Sequence, residues 1–236
     1  MWFLQRKTTL EESGIFDRFI DWHCHILPGV DDGVGRMDQS LAILSRYEQL
    51  GVSEVWLTPH VMEDMSNTTA SLRQCFAAFT AAYRGPVKLH LSAENMLDSV
   101  FRERFLSDDL LTWGVYGDRL LVETSCYKAP ASFRNLLQGI KSRGLFPTLA
   151  HPERYHYMTP SDCVELRKDG VEMQLNLFSL FGLYGKLVKR KAEFLLEEGL
   201  YDYVATDLHA YEVLESILQK SLRKKTVERL LRICRK

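Results

Sequence analysis

The sequence predicts an α/β chain folded as one closed barrel of alternating strands and helices, and two observations carry that expectation. Short apolar runs alternate with longer amphipathic stretches from about residue 19 to about residue 209, which is the pattern of parallel β/α units. No Pro/Ser/Gly-rich linker and no internal repeat interrupts the alternation, so a single barrel accounts for it better than two domains. The chain is therefore divided into a polar, weakly patterned lead-in at residues 1–18 and one domain at residues 19–236 that includes an appended C-terminal helix.

Seven strands are expected, at residues 19–25, 54–59, 87–94, 119–123, 146–151, 172–176 and 203–207, each rich in Val, Leu, Ile or aromatic residues. The helices lie between them. Asp38 stands where an N-cap belongs, ahead of Leu41, Leu44, Tyr47 and Leu50 at three-residue spacing, and Gly51 follows at a C-terminal cap position. Residues 69–83, 132–143 before Gly144, 161–168 before Gly170 and 186–198 before Gly199 repeat this grammar. After the last strand, residues 211–235 are expected to form one helix. It carries Lys220, Arg223, Lys224, Lys225, Arg229, Arg232, Arg235 and Lys236 around an apolar stripe of Leu214, Ile217, Leu218, Leu222, Leu230 and Leu231. Such a charge run is either the solvated face of a helix packed on the barrel or a surface for an acidic partner.

Composition removes whole classes of function. With 30 Lys+Arg against 31 Asp+Glu the 236-residue chain has a formal net charge of −1, which argues against coating nucleic acid or an anionic membrane and requires partners to be recognised at a local site. At 46% hydrophobic and 26% charged residues the chain is an ordinary globular protein, neither disordered nor fibrous. No apolar stretch approaches the roughly 20 residues of a membrane helix, and Met1-Trp2-Phe3-Leu4 is too short for a signal-peptide core. A cytoplasmic location without membrane insertion is expected.

The five cysteines, Cys24, Cys75, Cys126, Cys163 and Cys234, are widely spaced and contain no Cys-x-x-Cys, so reduced, mostly buried thiols are expected rather than a disulfide framework or a zinc ribbon. None has an Arg six positions later, which excludes the thiolate-and-Arg loop of cysteine-dependent tyrosine phosphatases. The phosphate-binding loop Gly-x-x-x-x-Gly-Lys-Ser/Thr, the Gly-x-Ser-x-Gly elbow, the His-Glu-x-x-His helix and a strand followed by Gly-x-Gly-x-x-Gly are also missing.

The reacting groups of a barrel come from the C-terminal ends of its strands and the loops that follow. Here the first strand ends in His23-Cys24-His25, the second in Thr58-Pro59-His60, the third in Ala93-Glu94, the fourth in Val122-Glu123, the fifth in Ala150-His151 and the seventh in Thr206-Asp207-Leu208-His209. Strand alternation turns His23 and His25 to one face, and Asp207 and His209 repeat the spacing. A lone His or Glu at a strand end is usually a hydrogen-bonded structural residue, but five His and several carboxylates on one rim crowd like charges together unless cations separate them. Imidazole and carboxylate without thiolate suit Mn²⁺, Fe or Zn²⁺. Two or three such ions can activate a bridging water and stabilise an in-line displacement at phosphorus, so phosphoester hydrolysis is the expected reaction.

Two further residues belong to this rim. In the loop Leu27-Pro28-Gly29-Val30-Asp31-Asp32-Gly33, Asp32 is the preferred ligand, with turn capping as the alternative. Arg154 in Pro152-Glu153-Arg154-Tyr155 brings a planar donor fork suited to phosphate, the alternative being a surface ion pair with Glu153.

Asp21-Trp22-His23-Cys24-His25-Ile26-Leu27-Pro28-Gly29-Val30-Asp31-Asp32-Gly33, Thr58-Pro59-His60, Ala93-Glu94-Asn95-Met96, Leu121-Val122-Glu123, His151-Pro152-Glu153-Arg154-Tyr155, Gln174-Leu175-Asn176 and Thr206-Asp207-Leu208-His209 together resemble the polymerase-and-histidinol-phosphatase (PHP) superfamily. The extended Leu-Pro-Gly-x-Asp-Asp-Gly and His-Pro-Glu-Arg-Tyr segments resemble its bacterial capsule-operon protein-tyrosine phosphatases. The likeness runs from about residue 18 to 210 with the motifs in family order. It implies a distorted (β/α)₇ TIM-like barrel, the PHP fold, with three divalent ions, commonly manganese, at the strand C-termini. By motif, His23, His25, Glu94 and Asp207 would hold one ion, Asp32, His60 and His209 a second, and Glu94, Glu123 and His151 a third. The implied reaction is attack of a metal-bound hydroxide on phosphotyrosine without a covalent phosphoenzyme. Arg154 would help hold the phosphate, and the usual substrate is the tail of a capsule-assembly tyrosine kinase. The segment Ala210-Tyr211-Glu212-Val213-Leu214 lacks the Arg that some members carry there, so a second phosphate-binding cation is either missing or supplied from elsewhere, for example by Lys186 or a neighbouring subunit of a homo-oligomer. A small-molecule phosphatase of histidinol-phosphatase type and a non-catalytic binding module are the competing readings.

Overall fold

The described residues of the structure, a computed structural model, are 7–65 and 67–235. The apolar start Met1-Trp2-Phe3-Leu4 and the terminal Lys236 lie outside them. In chain order the elements are β1 (Lys7–Thr9), a 3-10 turn (Glu11–Ser13), β2 (Ile20–Cys24), α1 (Met37–Leu50), β3 (Glu54–Leu57), β4 (His60–Val61), α2 (Thr69–Ala82), β5 (Lys88–Leu91), β6 (Glu94–Met96) and α3 (Ser99–Leu106). There follow β7 (Arg119–Glu123), α4 (Phe133–Ser142), β8 (Phe146–Ala150), a 3-10 turn (Pro152–Arg154), α5 (Pro160–Lys168), β9 (Glu172–Asn176), a 3-10 helix (Leu177–Phe181), α6 (Lys186–Glu197), β10 (Tyr203–Ala205), α7 (Tyr211–Leu218), β11 (Ser221–Arg223) and α8 (Lys224–Cys234).

These strands form a parallel six-stranded sheet in the order β10-β9-β8-β7-β6-β4 and a parallel three-stranded sheet in the order β2-β3-β5. Two strands expected to be continuous are each divided between the sheets, at Thr58-Pro59 and at Ser92-Ala93. Pro59 has no N–H for a ladder, and at the crossing the Glu94 N–H donates to the carbonyls of Thr58 and Pro59 at 3.3 and 3.1 Å. The far edges also meet. Cys24 bridges in parallel to Leu208, the His25 N–H donates to Leu208 O at 2.9 Å, and the Asp207 N–H donates to His23 O at 2.9 Å. The C-terminal ends of β2, β4, β6, β7, β8 and the segment after β10 are thereby gathered together.

The main core lies between the sheets' outer faces and the helices, built from residues such as Ile43, Leu44, Leu57, Leu120, Val122, Leu149, Leu175 and Leu195. Leu121 and Ala150 turn the other way and meet Trp22, Trp56, Trp113 and Tyr203 in a separate aromatic cluster, as alternation along a strand requires.

Three local expectations are corrected. The lead-in is part of the fold: Leu10, Ile15 and Phe16 are buried, and β1 pairs antiparallel with β11, Thr8 opposite Leu222. For the same reason the expected single C-terminal helix is two helices separated by β11. Leu222 satisfies a helical stripe and a strand core position equally well, and only the pairing with β1 selects the strand. Asp38 is not the cap of α1; the cap position is Arg36, and Asp38 sits in the first turn, ion-paired to Arg36 at 2.7 Å. Helix α3, unassigned by periodicity, is capped by Asp98, whose side chain accepts from the Phe101 N–H. In the C-terminal segment, Leu214, Ile217, Leu218, Leu222, Val227 and Leu230 are buried while Lys220, Arg223, Lys224, Lys225, Arg232 and Arg235 stay exposed. The apolar stripe packs inward and the basic face is solvated.

Candidate metal centre

β2 positions His23, and the residues just after it position His25. The carboxylate of Asp21 at the start of this strand accepts from the Thr206 N–H and hydroxyl at 2.9 and 2.6 Å and from the Tyr47 hydroxyl at 2.8 Å. It joins the two chain segments that carry His23 and Asp207. Burial raises the Asp21 carboxyl above its ordinary value, against these hydrogen bonds.

Four buried donor atoms converge here. His23 Nε2 lies 2.9 Å from His25 Nε2, 3.2 Å from Glu94 Oε2 and 3.4 Å from Asp207 Oδ1. His25 Nε2 lies 3.4 Å from the same Glu94 oxygen and 3.3 Å from the same Asp207 oxygen. Donors held at about 2.1 Å from one ion stand about 3.0 Å apart along an octahedral edge and about 3.4 Å along a tetrahedral edge. The observed separations have that size.

Hydrogen bonds behind the rings decide which nitrogen faces inward. His23 Nδ1 lies 2.8 Å from Gln174 Oε1 and His25 Nδ1 lies 2.8 Å from Asp31 Oδ2. Both partners are acceptors, so each ring carries its proton on Nδ1 and turns an Nε2 lone pair to the other at 2.9 Å. Two lone pairs at that distance repel unless a proton or a cation lies with them. His209 follows the pattern, its Nδ1 2.9 Å from the Asp207 carbonyl oxygen.

Asp32, His60 and His209 gather beside His25. Asp32 Oδ1 is 3.4 Å from His60 Nε2 and 3.5 Å from His209 Nε2, and the donor atoms of all four residues lie within 4.8 Å of one another. A third group joins His60 Nδ1 to Glu94 Oε2 at 3.1 Å and to Glu123 Oε1 at 3.0 Å. His151 approaches it with Nε2 2.9 Å from Glu94 Oε1 but 3.8 Å from Glu123 Oε2. His60 thus turns one nitrogen to each group, and Glu94 stands between two. All nine sequence-predicted ligand-type residues are brought together on one rim.

His60 Nδ1, Glu94 Oε2 and Glu123 Oε1 are buried, mutually close and without hydrogen-bond partners, so they point at shared space rather than at one another. Buried polar atoms in that condition are costly unless something satisfies them. A divalent cation fits: the donors are imidazole nitrogens and carboxylate oxygens, and several of them are spaced as ligands of one ion.

The metal-free electrostatics agree. Burial opposes charge on His25, yet Asp207, Asp31 and Glu94 raise it well above the ordinary imidazole value. His23 is raised in the same way by Glu94 and Asp207. Burial would raise Glu94 and Asp207, but the surrounding imidazoles hold both below the usual carboxylate range. His209 is lowered by burial and by His25. Protons here stand in for cationic charge. His151 and Asp207 also adopt positive φ, 35° and 52°, a conformation costing of order 1–3 kcal/mol.

Arg154 does not pair with Glu153. Its Nη1 donates to Asp207 Oδ2 at 2.8 Å, and its guanidinium lies over the Tyr184 ring, 4.4 Å from the centroid. Glu153 is buried and accepts from the Asn176 N–H, the Ser179 hydroxyl and the Tyr201 hydroxyl at 3.0, 2.8 and 2.9 Å. Lys186 is exposed at the first position of α6.

Sequence reasoning gave no role to the residues behind the ligands. Asp31 orients His25 and also accepts from the Gly33 and His60 N–H groups; Gln174 orients His23; Asn176 Nδ2 donates to Asp207 Oδ2 at 2.7 Å. Gly33 shows why the loop can close on His25, because a Cβ there would lie 2.1 Å from His25 O and 2.6 Å from its Cβ. The only signal for Asp31 was its neighbour Asp32, and for Gln174 and Asn176 their place at the end of a strand that lacked a ligand type.

A family profile described as capsular polysaccharide synthesis, CpsB/CapC, matches residues 19–230. Among curated proteins, tyrosine-protein phosphatase YwqE of Bacillus subtilis (strain 168) is 28% identical over 196 residues, 80% of this chain and 77% of that protein. Tyrosine-protein phosphatase CpsB of Streptococcus pneumoniae is 26% identical over 209 residues, 80% of this chain and 82% of that protein. A solved structure described among those of YwqE from Bacillus subtilis and CpsB from Streptococcus pneumoniae, unique metal-dependent tyrosine phosphatases, aligns with a TM-score of 0.75 at 26% identity, covering 91% of this chain and 94% of that one.

Proposed function

Because the chain belongs to the CpsB/CapC family of capsular polysaccharide synthesis, we propose that it is a metal-dependent protein-tyrosine phosphatase of a capsule or exopolysaccharide pathway. The observation that carries the chemistry is the pair of Nε2 lone pairs of His23 and His25 at 2.9 Å, closed by Glu94 and Asp207. In this reading two to three divalent ions, manganese first and iron or zinc as alternatives, are held by His23, His25, Glu94 and Asp207, by Asp32, His60 and His209, and by Glu94, Glu123 and His151. When bound, such ions supply an activated water and positive charge for the phosphoryl oxygens.

The chain's own residues do the rest. Gln174, Asp31 and the Asp207 carbonyl hold the Nδ1 protons of His23, His25 and His209, keeping the opposite nitrogens available. Arg154 uses Nη1 on Asp207 and retains the remainder of its donor fork; at 26% side-chain exposure it is reachable by a phosphate. Asp32, 59% exposed, and His209, 29% exposed, rise to the rim from a buried floor of His25 and Glu94, an opening that suits a tyrosine on a peptide. The substrate in this reading is the phosphotyrosyl tail of a bacterial tyrosine kinase, met in the cytoplasm. The joined edges of the two sheets support a distorted (β/α)₇ barrel as a single domain, with the lead-in from Lys7 packed on it.

The test is hydrolysis of p-nitrophenyl phosphate, a phosphotyrosyl peptide and histidinol phosphate with Mn²⁺, then with EDTA. Metal-dependent turnover with preference for the peptide is expected; activity that survives chelation, or preference for histidinol phosphate, rejects the reading. Among the described residues no helix is long and apolar enough to cross a membrane.

A further inference from the structure

Lys191 lies on α6 and holds the segment that carries Arg154. Its Nζ donates to the carbonyl oxygens of Pro152, Tyr155 and Met158 at 2.7, 2.9 and 2.6 Å. An ammonium has three protons, and all three are used. No carboxylate pairs with it among the described residues.

The spacing of those acceptors explains the geometry. Pro152–Arg154 is a 3-10 turn, and Tyr155 N–H donates on to Pro152 O and Met158 N–H to Tyr155 O. Tyr155 is extended and ends that turn, and a second turn over residues 155–158 follows it, so the carbonyls of residues 152, 155 and 158 all reach the one Nζ. Arg154 lies between the first two of these carbonyls, and His151, at φ 35°, immediately precedes the segment. The neighbouring Glu153 is anchored separately by Asn176, Ser179 and Tyr201, so residues 152–158 are gripped from two directions.

We propose that Lys191 is a positioning residue for Arg154: by tying three carbonyls on either side of it, Lys191 sets where the guanidinium stands beside Asp207 and so how tightly the site grips phosphate. The clamp itself is read from geometry alone; only its consequence for catalysis rests on the phosphatase reading. Burial lowers the Lys191 ammonium from its ordinary value, in keeping with an ion held by dipoles rather than by a counter-charge.

The experiment compares wild type with Lys191→Met, which keeps the aliphatic stem, and Lys191→Gln, which restores part of the donor set. Amide hydrogen exchange on the metal-free proteins should show residues 152–158 exchanging faster in Lys191→Met, less so in Lys191→Gln, with β2 and β10 unchanged. With metal, KM for a phosphotyrosyl peptide and the inhibition constant for inorganic phosphate should both rise about tenfold while kcat stays within about threefold. A variant that merely lost folded protein would lower apparent kcat and leave both constants alone. In an Arg154→Ala background, Lys191→Met should add no further change in KM. Unchanged exchange over residues 152–158, or a KM effect that adds fully to that of Arg154→Ala, overturns the proposal. If wild type fails to hydrolyse any phosphoester, the phosphatase reading falls and the exchange comparison still decides the clamp.

Discussion

Arg154 donates from Nη1 to Oδ2 of Asp207 at 2.8 Å, while the other oxygen of the same carboxylate faces His23 and His25 at 3.4 and 3.3 Å. One side chain therefore joins the candidate phosphate grip to the candidate metal ligands. Asn176 adds a second bond to Oδ2 at 2.7 Å, so the Asp207 carboxylate has a fixed inner oxygen and a fixed outer one.

That division separates two kinds of variant. His60→Ala and Asp207→Ala should lose bound metal together with turnover, by at least about a hundredfold in kcat/KM. Arg154→Ala should keep its metal and lose mainly substrate affinity, because it removes the outer partner of Asp207 and no ligand. Metal analysis of the purified proteins alongside kinetics checks this; equal metal loss in Arg154→Ala and His60→Ala contradicts the assignment.

The raised imidazoles of the metal-free protein predict the sign of the pH dependence of metal uptake. His25 is held well above its ordinary value and His23 above it, so the pair holds a proton more strongly than free imidazoles do, and a cation must displace it. Affinity for Mn²⁺ should rise with pH, with at least one proton released per ion near pH 7. Calorimetric titration in two buffers of different ionisation enthalpy measures that number, and a value of zero refutes it.

Stability of the metal-free protein should follow the same groups. His23 and His25 are raised, so their contribution is complete below the ordinary imidazole value and disappears as pH rises through the folded-state value. Glu94 and Asp207 are lowered, so theirs is complete above the ordinary carboxylate value and disappears as pH falls through the depressed one. In EDTA, Tm should therefore peak between the two ranges, at about pH 5–6. With Mn²⁺ the loss on the alkaline side should vanish. A thermal melt series from pH 4 to 9 in each condition is the check.

Gly33→Ala should displace the loop that holds Asp31 against His25, since its Cβ would overlap the His25 backbone. A cost of about 1–3 kcal/mol is expected from such overpacking, together with weakened metal binding through His25 and Asp32. Unaltered Tm and metal affinity would show that the loop accommodates the methyl group without moving.

The pairing of β1 with β11 predicts an effect remote from the site. Leu222→Ala removes a buried side chain opposite Thr8 and should cost about 2–3 kcal/mol, lowering Tm by about 4–10 °C. Mn²⁺ stoichiometry at 25 °C should be unchanged, because this two-stranded sheet contributes no ligand.

The strand ends were legible because alternation and ligand type are local properties. His23 and His25 two residues apart on one strand, or Asp207 and His209 on another segment, need no distant information to be recognised as a pair. Glu94 and His60 could be named as ligand types from position in their strands, and their convergence followed from the parallel β/α pattern. Asp38 was misplaced by one local rule competing with another, a capping preference against an ion pair with Arg36.

By itself the sequence determined the parallel α/β pattern, the nine ligand-type residues on one rim, and the exclusion of cysteine chemistry. It could do so because period, spacing and residue type are written along the chain. The tertiary structure alone decided that Leu222 belongs to a strand, that Asp31 and Gln174 set the tautomers of His25 and His23, and that Arg154 answers to Asp207 and stands on a segment held by Lys191. Those are contacts between residues up to about two hundred positions apart, where the partner of each polar atom depends on which buried groups remain unsatisfied once the strands are in place.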